Sequence, residues 1–82
     1  MGTKDTLINR FLSRPKDFSY QELRRLLGNF GYRELQGSGF RVVFVNQQLN
    51  HKIKLHKPHP GNILKQYQLA LIKKELTDKQ LL

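Results

Sequence analysis

The hydrophobic period of this chain changes from helical to strand-like at Gly31. Before it, Leu23, Leu26, Leu27 and Phe30 recur at i, i+3, i+4 and i+7, the stripe of a helix with one buried face. After it, the apolar residues run as strands do: Phe40 to Val45 is β-branched and aromatic, and His51 to His56 alternates apolar with basic. Eighty-two residues make one domain. Helix and sheet must therefore share a single core, which defines an α+β fold.

Boundaries follow from local chemistry. Leu7, Ile8, Phe11 and Leu12 share one face of a first helix over 3–14, which Pro15 ends. Ser19 and Glu22 form a capping box at the start of the second helix, flanked by a Phe18–Leu23 staple. Gly31 suits the left-handed position just beyond that helix. Residues 32–36 form a short strand, and Gln36-Gly37-Ser38-Gly39 a turn. In the second strand, 40–45, Phe40, Val42 and Phe44 share one side, opposite Arg41, Val43 and Val45. Asn46 to Asn50 is a hairpin connection. In the third strand, 51–56, Ile53 and Leu55 face one way and Lys52, Lys54 and His56 the other. Two prolines and a glycine in Lys57-Pro58-His59-Pro60-Gly61 exclude regular structure. Leu69, Ile72 and Leu76 give a last helix over 64–76, and the tail 77–82 extends it or frays.

The expected order is α-α-β-β-β-α, a three-stranded antiparallel sheet with helices on one face. Its last five elements have the order of double-stranded-RNA-binding domains. Val43 and Val45 make strand two apolar on both sides. The second face or the sheet edge is then covered by a partner protein or a second copy of the chain, or else lysine stems shield it.

Charge bears on partners. Lys and Arg number 15 against 6 acidic residues, a net charge of +9 that favours anionic partners. Arg10, Arg24 and Arg25 fall on helices as solubilising charges, whereas Lys52, Lys54 and Lys57 gather on strand three and the turn after it. The absence of Cys excludes disulfides and thiolate metal sites. His56 and His59 lack the further ligands a metal needs, and no phosphate-loop framework suggests a nucleotide cofactor. No apolar run approaches the roughly 18 residues of a membrane span, and the N-terminus lacks a secretory core, so a cytoplasmic location is expected.

Several motifs occur together in a recognisable order. Glu22-Leu23, Leu26-Leu27 and Gly31-Tyr32 are followed by Gly37-Ser38, a β-hairpin and Pro58-His59-Pro60-Gly61. Over about residues 18–76 this resembles the HicA family of toxins from bacterial type II toxin–antitoxin pairs. Residues 1–17 are similar to the helical extension of a longer subgroup, and 77–82 form a tail to the single domain 1–82. The resemblance implies a fold like that of double-stranded-RNA-binding domains, metal-independent endonuclease cleavage of messenger RNA (an mRNA interferase), and a HicB-like antitoxin partner. The family carries its catalytic histidine in a Gly-Ser-x-His pattern on strand two. Here that position is Phe40 counted from Gly37-Ser38, or Val42 counted back from Phe44, and neither transfers a proton.

Without a metal, RNA cleavage needs an acid or base and cations on the phosphate. Histidine suits proton transfer near neutral pH. His56, beside Lys52 and Lys54, or His59 can stand in for the absent histidine. The plainer alternatives are a solvated strand end for His56 and a turn-shaping residue for His59. For RNA-backbone contact the candidates are Arg41, Lys52, Lys54, Lys57 and Lys65. Two functions remain open: an RNA-binding HicA-like toxin with nuclease activity, or a non-catalytic RNA-binding or protein-interaction domain on the same scaffold.

Overall fold

A computed structural model describes residues 3–58 and 61–82 and has the expected element order. Helices α1 (Thr3–Leu12) and α2 (Tyr20–Asn29) precede strands β1 (Arg33–Gln36), β2 (Arg41–Asn46) and β3 (His51–His56), and helix α3 (Gln66–Asp78) follows. The strands form one antiparallel sheet in the order β1-β2-β3. Val42, Phe44 and Ile53 project from the sheet into a core shared with Leu23, Leu26 and Leu27 of α2 and Leu69, Ile72 and Leu76 of α3.

Helix α1 enters the same core through Leu7 and Phe11, and the Phe11 ring meets Phe18 edge-on at 5.5 Å. Arg10 fixes its docking. The Arg10 Nε donates to Glu22 Oε2 at 2.6 Å, and Nη2 donates to Asp17 Oδ1 at 3.1 Å. Its guanidinium also lies 5.8 Å from the Phe18 ring centroid. Arg10 is thus a structural clamp rather than a solubilising charge. Glu22 meanwhile accepts from the Ser19 N–H at 3.0 Å, and Ser19 Oγ accepts from the Glu22 N–H at 3.1 Å, completing the capping box.

At the other end of α2, Gly31 has φ +92°. Its N–H donates to the Gly28 carbonyl, and the Tyr32 N–H to that of Leu27. This is the paired closure that a left-handed residue permits. Asn46, 2% exposed, fastens that corner to the hairpin. Its Nδ2 donates to the Phe30 carbonyl at 2.9 Å while its Oδ1 accepts from the Leu49 N–H at 3.1 Å.

Several boundaries differ from the sequence expectation, three of them for a visible reason. Helix α1 stops at Leu12, because Arg14 adopts φ +52° ahead of Pro15. Strand β2 starts at Arg41, because the Gly37 N–H bonds the Arg41 carbonyl and closes a turn that contains Phe40. Phe40 is therefore 50% exposed and does not share the core side of Val42 and Phe44. Helix α3 starts at Gln66, because Leu64 and Asn62 make backbone bonds with Phe18 and Tyr20, a short bridge between distant segments. Its C-terminus closes like that of α2, with Gln80 at φ +61° and the Leu81 N–H on the Leu76 carbonyl. Leu81 and Leu82 consequently fold back against the core instead of fraying.

Replacing Ser19 by Ala is expected to lower stability by about 1 kcal/mol, the usual effect of losing a helix cap. The Arg10 hydrogen bond, aided by Ser19, holds the Glu22 carboxyl down at about 2, against an ordinary value of 4.5. A depressed carboxyl contributes stability above its unfolded value and loses it as pH falls through the folded one. Urea unfolding across the window from 4.5 to about 2 should show a shallower loss for Glu22→Gln than for the unmodified chain. Parallel profiles would contradict the clamp.

Candidate nucleic-acid interface

Helices cover one face of the sheet, and the strand register decides what lies on the other. Leu35 pairs with Val43 and Arg33 with Val45. On the far side of β2, Arg41 pairs with His56, Val43 with Lys54 and Val45 with Lys52. Since alternate residues share a face, Arg33, Leu35, Arg41, Val43, Val45, Lys52, Lys54 and His56 form one open surface. Its middle is apolar, with Leu35 47% exposed and the two valines half-buried. Cations flank that strip on both sides.

Among the described residues, no acidic side chain stands on this face. Glu34 lies on the helix side of β1, where it accepts from the Tyr20 hydroxyl and lies 3.3 Å from Arg24 Nε. Asp17 and Glu22 are taken by Arg10, Glu75 by His51 at 2.7 Å and Asp78 by Lys74 at 3.3 Å. Of these, the exposed Lys74–Asp78 pair adds little stability. Together the pairs do remove negative charge from the neighbourhood of the sheet. Among the described residues, Arg33, Arg41, Lys52 and Lys54 make no ion pair. A shallow depression of about 300 Å³ lies at one end of the face, lined by Arg41, Val43, Lys54 and His56.

The structure thus brings together four of the sequence candidates: Arg41, Lys52, Lys54 and His56. Lys57 lies apart from them. It is half-buried, and its Nζ lies 5.8 Å from the Tyr20 ring centroid, on the helix side of the sheet. Lys65 is exposed at the start of α3, where its backbone N–H donates to Gln68 Oε1 at 3.0 Å. It is separate from the open face. His59 lies outside the described residues. The two positions that the HicA resemblance sets beside a catalytic histidine differ: Phe40 is in the exposed turn and Val42 is in the core.

His51 is committed elsewhere. Its Nδ1 is 2.6 Å from the Tyr32 hydroxyl and its Nε2 is 2.7 Å from Glu75 Oε1. Burial, with Glu75 nearby, raises the Tyr32 hydroxyl above its ordinary value of 10.0, so it stays protonated and can donate to Nδ1. That assigns the ring proton to Nε2, facing Glu75. The chain joins β3 to α3 and leaves the ring 11% exposed. Its members lie far apart in the sequence, so no local pattern announces it. Arg33 and Leu35 were legible in principle from the alternation of strand one.

Among the described residues no group of three or more His, Asp or Glu side chains is placed to hold a metal ion, and no helix is long and apolar enough to cross a membrane. Compared with protein-family models, curated proteins and solved structures, the chain shows no significant match. Replacing His51 by Ala should lower unfolding stability by about 1–3 kcal/mol, because Glu75 and Tyr32 lose a shared partner. RNA affinity should stay unchanged, as measured by fluorescence anisotropy of the folded variant.

Proposed function

We propose that this chain is a cytoplasmic RNA-binding protein of the HicA-like toxin type. The observation that carries this reading is the open sheet face, with four cations that make no ion pair and no acid among the described residues. Such a face contacts phosphates without reading sequence, and its affinity falls steeply with salt. Arg33 joins Arg41, Lys52 and Lys54 as the contacts, while Leu35, Val43 and Val45 supply an apolar strip for sugar and base edges. The same strip suits an acidic HicB-like antitoxin, or a second copy of the chain, covering the face when RNA is absent.

Among the described residues His56 is the one imidazole on the face, with Arg41 across from it and Lys54 two residues away. It can accept the proton of a 2′-hydroxyl that attacks the adjacent phosphorus. The products are a 2′,3′-cyclic phosphate and a 5′-oxygen that leaves with a proton from solvent. Arg41 and Lys54 would offset the charge that develops on the phosphoryl oxygens. The non-catalytic reading is favoured by Phe40 and Val42, which stand where the family keeps its histidine.

Alanine at Arg41, Lys52 or Lys54 should each weaken RNA binding uniformly across sequences and reduce the salt slope by about one. Affinity insensitive to salt would remove the binding role. Cleavage of a labelled RNA in chelator, lost in His56→Ala with affinity retained, supports the nuclease. No cleavage at any enzyme concentration, with RNA still bound, leaves the non-catalytic domain.

A further inference from the structure

A second cationic feature lies on the opposite, helix-bearing side of the molecule. A groove of about 540 Å³ runs between α2 and β1, lined by Gln21, Arg24, Arg25, Tyr32, Glu34 and Phe44. Phe44 and Tyr32 form its floor and are themselves buried. The polar atoms therefore belong to the rim, and Gln21, Arg24 and Arg25 supply it from consecutive positions around one helix.

Arg24 is held in an informative way. Its Nε lies 3.3 Å from Glu34 Oε1, while the other Glu34 oxygen accepts from the Tyr20 hydroxyl. Burial, together with that hydrogen bond, raises the Tyr20 hydroxyl well above its ordinary value, so it remains a donor. Glu34 thus anchors the guanidinium at Nε. Arg25, exposed on the same rim, makes no ion pair at all among the described residues. The groove holds two guanidinium groups and one carboxylate whose oxygens are both engaged, a net positive site in which the planar fork of Arg25 has no ion pair among the described residues. Planar forks of this kind match the geometry of a phosphate.

We propose that the groove between α2 and β1 binds a phosphate group, as a site distinct from the open sheet face. The source of that phosphate is either the backbone of an RNA already bound to the sheet face or a free anion such as a mononucleotide. The RNA source rests on the function proposed above, whereas the free-anion source does not.

The test uses the full chain in two arms. In the first, inorganic phosphate and then AMP are titrated while backbone amide shifts are followed. Saturable shifts at Gln21, Arg24, Arg25 and Glu34, lost in Arg25→Ala, are the expected result. Arg25 makes no contact that the fold requires, so this variant keeps its structure. In the second arm, RNA affinity is measured for Arg25→Ala and for the Arg24→Ala/Arg25→Ala pair. A loss of roughly three- to tenfold with a salt slope lower by one to two identifies the RNA backbone as the source. Phosphate shifts at the groove with RNA affinity unchanged identify a free anion. Failure of the unmodified chain to bind RNA overturns the earlier reading and leaves the first arm to decide the groove. No shift with either probe, and no effect on RNA affinity, overturns this site.

Discussion

The phase of the two long strands against the helices is the constraint on which the rest depends. Val42, Phe44 and Ile53 go inward, to an exposure of 2% or less, and each contributes about 1.5–3 kcal/mol by burial. A slip of one residue in β3 would reverse the faces. Lys52 and Lys54 would then enter the core without partners, at a cost well above what the apolar residues gain. Packing alone therefore orients the cations of β2 and β3, and it places them on a common surface with Arg33 of β1. The surface proposed to bind RNA is a by-product of how the core is built.

The acidic residues reinforce that separation. Each of the five whose side chains are described has a basic partner, Arg, Lys or the His51 imidazole, on the helices or within the helix–sheet junction, and none stands on the open face. Two of these contacts have structural roles of their own. Glu22 both caps α2 and holds Arg10, which docks α1, and Glu75 fixes the imidazole that links β3 to α3. The net charge of +9 is thus the residue of a segregated distribution. Acids stabilise joints, and unpaired cations are left for a partner.

Much of the fold was legible because its signals are local. The Ser19–Glu22 box, Gly31 beyond α2, and the alternation of Lys52, Ile53 and Lys54 each act within a few residues. What escaped depends on contacts between distant segments. The Phe18–Leu64 bridge delays α3, the Tyr32–His51–Glu75 chain removes a histidine from the surface, and Arg10 turns out to be a clamp. Lys57 shows the same limit from the other side. It continues the basic run of β3, yet the strand ends at His56 and the next side chain turns toward Tyr20. The positions of the candidate residues follow from the sequence where strand alternation governs them and do not where the chain leaves the sheet.

Mapping bound RNA onto the sheet by NMR tests the central claim most directly. With a short labelled RNA at low salt, the largest methyl and amide shifts should fall on Leu35, Val43, Val45, Lys52 and Lys54, and core-facing Ile53 should move little. Shifts confined to α1 or α3, with the open face unperturbed at saturation, would contradict the assignment of that face to RNA.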